Sequence, residues 1–489
     1  MLSIRQLIVG GLVALVLFCF VGAARPLLAQ NAPGLAPVVI PTSPVSVSGT
    51  LGPQSPYLGS VPTGTPTGTV VPLSLSDAVS RGLKYNLGAI ESDIRTRTAR
   101  AERLRSLSDL LPNVNGSISQ TAEQVNLRAL GLKIPLQGFP VVVGPFGVED
   151  ARAYWSQKIF DWDAVQKLRA SDRSVKASDY SYKDSRDLVV LAVANAYLQV
   201  IADKATVESQ QAQVETSWVL YQRAQDQTRA GVAARIDQLR ADVELQTQQQ
   251  RLIAAQNQSD KDALSLARTI GLPPGQEFTL TDSAPYKPLQ GVTLEKALQD
   301  AYANRAEYLS AQLQVQAAVL SRKAAAAENY PSISSQVDYG DIGPNFANSH
   351  GTFTAAASVN IPIFQGTRVR GDKLEADATL QQRRAEMEDL RGRIDQDVRS
   401  AFLDLTSAAE LVNVASHNKD LARETLTEAQ DRFAAGVTDN IEVVQAQESV
   451  TTADQAYISS LYTFNIAKVQ LARAMGIAEQ SVNAYLGGQ

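Results

Sequence analysis

Few residues in this chain have the chemistry for acid–base catalysis or metal binding. Histidine occurs only as His350 and His417, which leaves little material for imidazole chemistry. In the stretch DWD, Asp161 and Asp163 are better interpreted as a turn and helix start, where aspartate accepts hydrogen bonds from exposed amides. The RGD at 370–372 is interpreted as a chance tripeptide. No phosphate loop, nucleophile elbow or zinc spacing is present, so we expect no enzyme, no cofactor and no metal site.

Two turns, each followed by an acidic residue, form a more informative pattern. They lie in RAGVAARIDQLRAD at 229–242 and in AAGVTDNIEVVQAQ at 434–447. Each has a glycine, then a valine, and an acidic residue six positions after the glycine; the two sets are Gly231, Val232 and Asp237, and Gly436, Val437 and Glu442. Glycine permits a tight turn at both places.

The two turns belong to a repeat that covers most of the chain. LSDAVSRGLKYN at 75–86 aligns with LEKALQDAYANR at 294–305, an offset of 219. Later landmarks, from Phe160 with Phe364 to Gly271 with Gly476, align at offsets of 204 and 205. One change of register explains both values, so the chain is a tandem duplication with a longer loop in its first copy.

Composition and the repeat divide the chain into segments. The N-terminus has one charge at Arg5, an apolar run and then small residues up to Ala29, a pattern typical of a secretory signal peptide. The alternative is a membrane anchor, because the run is just long enough to span a bilayer. We therefore expect a signal peptide at 1–29, a flexible Pro/Gly/Ser/Thr-rich leader at 30–72, a first repeat at 73–272, a connector at 273–291, a second repeat at 292–477 and a tail at 478–489. A formal net charge of −5 does not indicate a nucleic-acid partner.

Each repeat has the same order of predicted elements. A helix of about 37 residues ends at Pro112 or Pro331, because a helix interior excludes the proline ring. Two strands follow, then a helix-prone tract at 164–229 or 368–434, the glycine turn, and a returning helix of about 38 residues. At 1.5 Å per residue each long tract spans roughly 100 Å, so it matches two shorter helices placed end to end. This arithmetic predicts antiparallel coiled-coil hairpins with the glycine turns at their tips.

The predicted strands are NVNGSISQTAEQVNL, ARAYWSQKIF, SISSQVDYG and TFTAAASVNIPIF, with a long external loop expected at 128–150. Four strands cannot close a membrane barrel, which needs about eight, so strands in lipid would have to be pooled from several chains. Aromatic side chains on these strands, at Tyr154, Trp155, Phe160, Tyr339 and Phe353, suit a bilayer interface. Alternatively, they fill an ordinary soluble β-core.

With this duplicated order, and with LPNVNGS, YPSISSQ, IPIFQGTRVRGDKLEADA and AGV at both tips, the chain resembles the TolC-like outer-membrane efflux protein family. The resemblance implies a mainly α protein with a small β part: two long antiparallel coiled-coil hairpins and four transmembrane β-strands per chain. It further implies a homotrimer whose twelve strands form one β-barrel in outer-membrane lipid, continuous with a periplasmic α-helical barrel. The implied partners are a periplasmic adaptor protein and an inner-membrane transporter.

The resemblance also assigns roles to individual residues. Gly231, Val232, Gly436 and Val437 match the tips that meet the adaptor, although glycine is also needed for the turn itself. Glu442 matches the first of two inward-facing acidic positions that narrow the periplasmic end, whereas Gln445 stands at the second. The alternative for Glu442 is a solvated helix glutamate.

The function implied by the resemblance is a passive outer-membrane exit duct of a tripartite efflux or type I secretion system. The competing interpretation is a soluble periplasmic coiled-coil scaffold that transports nothing. The strand segments distinguish the two, because a scaffold needs neither aromatic interface belts nor an obligatory trimer.

Overall fold

The computed structural model describes residues 55–131, 140–283, 286–289, 291–438 and 440–481. The expected signal peptide at 1–29, the first part of the leader and most of the C-terminal tail lie outside these residues. The described chain consists of eight α-helices, six strands and two short 3₁₀ turns.

The elements follow one another as a duplicated series. The first copy comprises β1 Val71–Leu73, α1 Leu75–Tyr85, α2 Leu87–Ser108, β2 Asn113–Asn126, β3 Val142–Phe160, α3 Trp162–Arg229 and α4 Arg235–Ile270. The second comprises β4 Phe278–Leu280, α5 Leu294–Asn304, α6 Ala306–Ala327, β5 Ser332–Gly343, β6 His350–Asn360, α7 Arg368–Ala434 and α8 Asn440–Ala474. The bounds of α3 and α7 lie within a few residues of the predicted tracts, because both tracts lack proline and end at a glycine turn.

One four-stranded antiparallel sheet and one row of helices share the same lateral order. The strands are ordered β2-β3-β5-β6, and α2, α3, α6 and α7 lie side by side in the same sequence. Asp161 links strand to helix, because its side chain accepts a hydrogen bond from the amide of Ala164 and caps α3. The interpretation of DWD as a helix start is therefore confirmed.

Below this row the long helices form hairpins. α4 packs on α3 and α8 on α7, while α6 of the second copy packs along the remainder of α3. The long helix therefore pairs with two shorter ones, as its length predicted. Two apolar cores lie where the short helices meet, one around Val189, Val193 and Tyr197 of α3, the other around Ile394 and Val398 of α7. α3 also contains the one described segment long and apolar enough to cross a membrane, but half of that segment is buried inside the protein, as in a core helix.

The helix before each strand pair is broken, which corrects the prediction of a continuous helix. The breaks fall at Asn86 and Arg305, equivalent positions of the two copies. Asn86 is fully buried, and its amide nitrogen donates to the carbonyl oxygens of Tyr57 at 2.6 Å and Thr269 at 3.2 Å. Its side-chain oxygen accepts from the amide of Gly88 and starts α2. Neither break falls on a glycine or a proline, and at Asn86 the long-range hydrogen bonds hold the chain in the non-helical conformation.

Three further boundaries differ from the predictions. β3 begins at Val142, so 142–150 is strand rather than loop, because this segment continues the antiparallel ladder with β2. β6 ends at Asn360, leaving Ile361, Ile363 and Phe364 outside the sheet and exposed. Residues 55–72 of the leader are ordered against the helices: Val71 pairs with Phe278 in the parallel sheet β1-β4.

Candidate functional site

The two hairpin tips have the same backbone geometry. Gly231 and Gly436 have φ of 74° and 72°, in the left-handed region that favours glycine. In the first tip the amides of Gly231 and Val232 donate to the carbonyl oxygens of Thr228 and Gln227 at 3.1 and 3.0 Å. Gly436 and Val437 repeat this pattern with Phe433 and Arg432, at 3.0 Å each. Both long helices thus end in a Schellman motif, which satisfies their last carbonyl groups.

The valines at the tips are unusually exposed for apolar side chains. Val232 is 75% exposed and Val437 is 70% exposed. The valine of a Schellman motif commonly folds back onto its helix, but these two do not. Each tip therefore presents an apolar side chain to its surroundings on a rigid turn.

Glu442 lies at the second tip and is held there by residues of the same hairpin. Its Oε1 accepts from Nη1 of Arg432, in the last turn of α7, at 3.0 Å, and its Oε2 accepts from the hydroxyl of Thr438. Asp237, its counterpart in the first copy, forms an ion pair with Arg240 at 3.5 Å. The sequence analysis missed Arg432 and Thr438; their positions four residues before and two after Gly436 place them opposite Glu442 in an antiparallel hairpin.

Side chains of α8 join the second hairpin to the first just above the tips. The buried amide of Gln447 donates to the Ser217 hydroxyl, and Glu448 forms a two-bond ion pair with Arg251 at 2.7 and 3.0 Å. Leu220 of α3 also packs in one apolar cluster with Ala429, Val443 and Ala446. The tip positions predicted from the sequence are thus parts of one packed end of the protein.

At the opposite end, the register of the sheet separates apolar from polar side chains. Directly paired residues share a face, since side chains alternate along a strand. One face carries mainly apolar residues: Val114, Ile118, Ala151, Ala153, Trp155, Ile333, Val337, Tyr339, Phe353, Ala355 and Val359. Ile118, Tyr339 and Phe353 are 78%, 69% and 73% exposed, so no part of the described chain covers this face.

The other face of the sheet is mainly polar. It carries Asn113, Asn115, Ser117, Ser119, Arg152, Ser334, Gln336, Asp338, Thr352, Thr354 and Ser358. Tyr154 also lies on it, paired with Asn115 and Asp338, so this ring does not share the apolar face of Trp155. Arg152 donates from Nε to Asp150 at 2.6 Å and from Nη1 to Asp338 at 3.2 Å, tying two strands together on this face. A sheet with one bare apolar face and one polar face is typical of strands that separate lipid from an aqueous lumen.

The sequence profile described as "Outer membrane efflux protein" matches residues 91–272 and 297–477, most of both copies. The chain belongs to this family. It is therefore an outer-membrane channel protein whose helical part lies in the periplasm. The resemblance drawn from the duplicated motifs is confirmed.

The chain is similar, at low sequence identity, to several secretion and efflux proteins. The chain is 20% identical over 338 residues to the alkaline protease secretion protein AprF of Pseudomonas aeruginosa, covering 66% of this chain and 69% of AprF. It is 23% identical over 317 residues to the toluene efflux pump outer membrane protein TtgC of Pseudomonas putida, covering 61% and 63%. The outer membrane protein TolC of Escherichia coli is 21% identical, with 66% and 68% covered.

Solved structures share the fold of this family member. The outer membrane channel CmeC of Campylobacter jejuni superposes with a TM-score of 0.73 at 15% identity, covering 87% of this chain and 92% of that one. The open-state MtrE channel of Neisseria gonorrhoeae gives 0.69 at 18%, covering 85% and 94%. These similarities establish the arrangement of helices and strands.

Within the described ranges of this family member, no group of three or more His, Cys, Asp or Glu side chains is placed to hold a metal ion. The candidate functional regions are therefore the two hairpin tips, the residues that contact Glu442, and the sheet with one apolar and one polar face.

Proposed function

We propose that three copies of this chain form an exit duct through the outer membrane. The single observation that carries the proposal is the two-faced sheet of four strands, β2-β3-β5-β6, with both faces uncovered by the described chain. Three such sheets supply twelve strands, an even number within the range of known outer-membrane barrels. The row of helices in the same order extends the barrel as a periplasmic tunnel.

The edges of the sheet support the same assembly. β2 and β6 are its outermost strands, and each has one side without a strand partner in the described chain. In hydrocarbon every unpaired backbone amide and carbonyl costs several kcal/mol, so both edges need partners. β2 of one copy beside β6 of the next satisfies both edges and closes the ring.

The dimensions of the apolar face suit lipid. From Ile333 to Tyr339 the apolar positions of β5 span about 20 Å along the strand, close to the apolar band of roughly 25 Å of outer-membrane barrels. Beyond Tyr339 this face becomes charged at Asp341, and on β3 at Glu149. Tyr339 and Phe353 are adjacent at this boundary, where aromatic rings favour the bilayer interface.

At the other end, the exposed valines of the tips are the proposed contacts for a periplasmic adaptor coupled to an inner-membrane transporter. Glu442 is proposed as the pore constriction, where three carboxylates would favour cations. Because Arg432 pairs with Glu442, the constriction carries less negative charge than three free carboxylates. TtgC is named as part of a toluene pump and AprF as a protease secretion protein; a passive duct of this kind serves either kind of transporter.

The competing interpretation, a soluble scaffold, disagrees with membership of the outer membrane efflux protein family and fails to account for the exposed apolar face. The deciding experiment is single-channel recording of detergent-extracted protein in planar bilayers, with its mass measured by light scattering. A trimer that gives small, discrete, cation-biased currents supports the duct. A water-soluble monomer without currents overturns it.

A further inference from the structure

Two aspartates meet between the helices of the first hairpin. Asp203 of α3 and Asp262 of α4 lie level with each other across the first hairpin, because they stand 29 residues before and 30 residues after Val232 at its tip. Each is also held by a glutamine four residues before it: Gln199 donates to Oδ1 of Asp203 at 2.9 Å and Gln258 to Oδ2 of Asp262 at 2.8 Å. Two carboxyl groups in contact are stable only when a proton lies between them.

The surroundings do not neutralise this pair. Oδ2 of Asp203 is buried, and within the described residues no amide, ammonium or alcohol group donates to it. No lysine or arginine of the described chain forms an ion pair with either aspartate. Tyr462 of α8 is the titratable group that these acids affect from a third helix: burial first, and then the charges of Asp203 and Asp262, raise its pKa. The other charged groups nearby line a groove next to Tyr462; they are Lys204 and Glu208 of α3 and Asp282 after β4. Burial first, and then the hydrogen bond with Asp262, raise the pKa of Asp203 to about 6.

The second copy shows which residues are sufficient for packing at the positions equivalent to the two aspartates. The offset of 205 aligns Asp203 with Ala408 and Asp262 with Ala467, and both alanines are buried in the core between α7 and α8. The same offset aligns the core pairs Val193 with Val398 and Leu266 with Leu471, which confirms the register. Alanine therefore suffices for the packing of a hairpin here, so the acid pair is a feature added to the first hairpin.

We propose that Asp203 and Asp262 form a proton-dependent staple that makes the first hairpin, but not the second, respond to changes of pH in the mildly acidic range. With one proton shared, the carboxyl groups hold α3 to α4. With the proton lost, two adjacent negative charges push the helices apart at this layer.

The raised pKa of Asp203 determines whether the hairpin becomes more or less stable as the pH rises. A carboxyl that binds its proton more tightly when folded stabilises the folded hairpin at low pH, and this stabilisation is lost as the pH rises through about 6. The inference concerns the hairpin alone and does not depend on the proposed duct. Its consequence is a pH-dependent stiffness in the hairpin that carries Gly231 and Val232, and not in the hairpin that carries Gly436 and Val437.

The test is hydrogen exchange of the full-length protein in detergent between pH 5 and pH 7, below the range in which Lys468 of the second hairpin loses its proton. The rates are corrected for the intrinsic pH dependence of amide exchange. We expect protection in 199–206 and 258–265 to fall about ten-fold across this range, since one pKa unit corresponds to a factor of ten. The equivalent segments 404–411 and 463–470 serve as an internal reference and stay constant.

The matched variant replaces the two aspartates of the first copy by the alanines that the second copy has at these positions. Asp203→Ala with Asp262→Ala should make the protection of the first hairpin independent of pH, and Asp262→Asn alone should reduce the dependence while keeping the shape of the pair. The proposal is overturned if the native first hairpin shows no greater pH dependence than the reference segments. It is equally overturned if the dependence survives in both variants.

Discussion

Arg432 and Glu442 face each other across the second hairpin tip, with 3.0 Å between Nη1 and Oε1. The repeat shows that this pair is specific to one hairpin, because the position equivalent to Arg432 is Gln227 in the first copy. Both side chains are partly exposed, so the pair stabilises the tip by only about 0.2–1 kcal/mol. The pair has a larger effect on the electrostatic potential at the tip, because the positive charge of Arg432 offsets the negative charge of Glu442.

The first prediction therefore concerns ion selectivity, and it uses two variants that are expected to change it in opposite directions. Glu442→Gln should lower the cation-to-anion permeability ratio of the closed pore, on the order of two-fold, by removing one carboxylate per chain. Arg432→Gln should raise that ratio, because it removes the cation that offsets Glu442. The reversal potential in a salt gradient across a planar bilayer measures both. Asp237→Asn is the matched control and should change the ratio less; an unchanged ratio in Glu442→Gln would defeat the gate hypothesis.

The second prediction separates recognition at the tips from folding. Val232→Asp with Val437→Asp should weaken adaptor binding at least about ten-fold, while the melting temperature stays within the range of ordinary surface changes. Val243→Asp, at an exposed valine 67% accessible on α4, is the control and should leave binding intact. Surface plasmon resonance with the purified adaptor measures the affinity. Equal loss in the control would show that the tips have no special role.

As a companion to the second prediction, the glycines at the tips should affect the stability of the turns. Gly231→Ala and Gly436→Ala meet open space, so no steric clash follows. They still force an L-residue into the left-handed region, at a cost of about 1 kcal/mol each. Calorimetry should show a small loss of stability. A loss of several kcal/mol would contradict the open geometry of the turns.

The third prediction tests the two faces of the sheet with neighbouring residues of β2. Val114→Arg places a charge on the apolar face, level with Val337 in the middle of the apolar band. It should cost about 2–4 kcal/mol at the bilayer midplane and reduce the trimer recovered from outer membranes. Asn115→Arg, one residue further along β2, places the same charge on the polar face and should assemble normally. Gel electrophoresis of unheated membrane fractions reports the trimer. If both variants assemble equally well, the apolar face does not meet lipid.

The fourth prediction concerns Lys468, which is buried in α8 with its ammonium group donating to the carbonyl oxygen of Lys287 at 3.3 Å. Burial first, and then the charge of Lys287, lower its pKa to about 8. Between pH 8 and the ordinary lysine value the unfolded chain binds this proton and the folded chain does not, so the unfolding free energy rises with pH.

Lys468→Met should remove that rise and increase the unfolding free energy at pH 7, because no buried charge remains. Denaturant unfolding at pH 7, 9 and 10 measures both effects. The exposed Lys204→Met is the control and should leave the slope unchanged. A Lys468→Met variant with the native slope would show that another group titrates.

The sequence alone determined the repeat, the lengths of the long helices and the position of both tips. These features are local or periodic: proline and glycine end helices wherever they stand, and a duplication is visible without coordinates. The resemblance that rested on them led to the family. Most of each predicted strand also lies in the sheet. The alternation of Val359, Ile361 and Ile363, which predicted the last strand, nevertheless continues past the end of β6 at Asn360.

Only the tertiary structure decided where distant segments meet. The break at Asn86 arises from carbonyl groups of Tyr57 and Thr269, and the start of β3 at Val142 from pairing with β2. Likewise Arg432 with Glu442, and Asp203 with Asp262, come together because antiparallel helices bring residues into register across a turn. The local sequence predicts the conformation of a segment. These contacts, however, form between groups that are distant in the sequence and that only the packing of the helices and strands brings within a few ångströms.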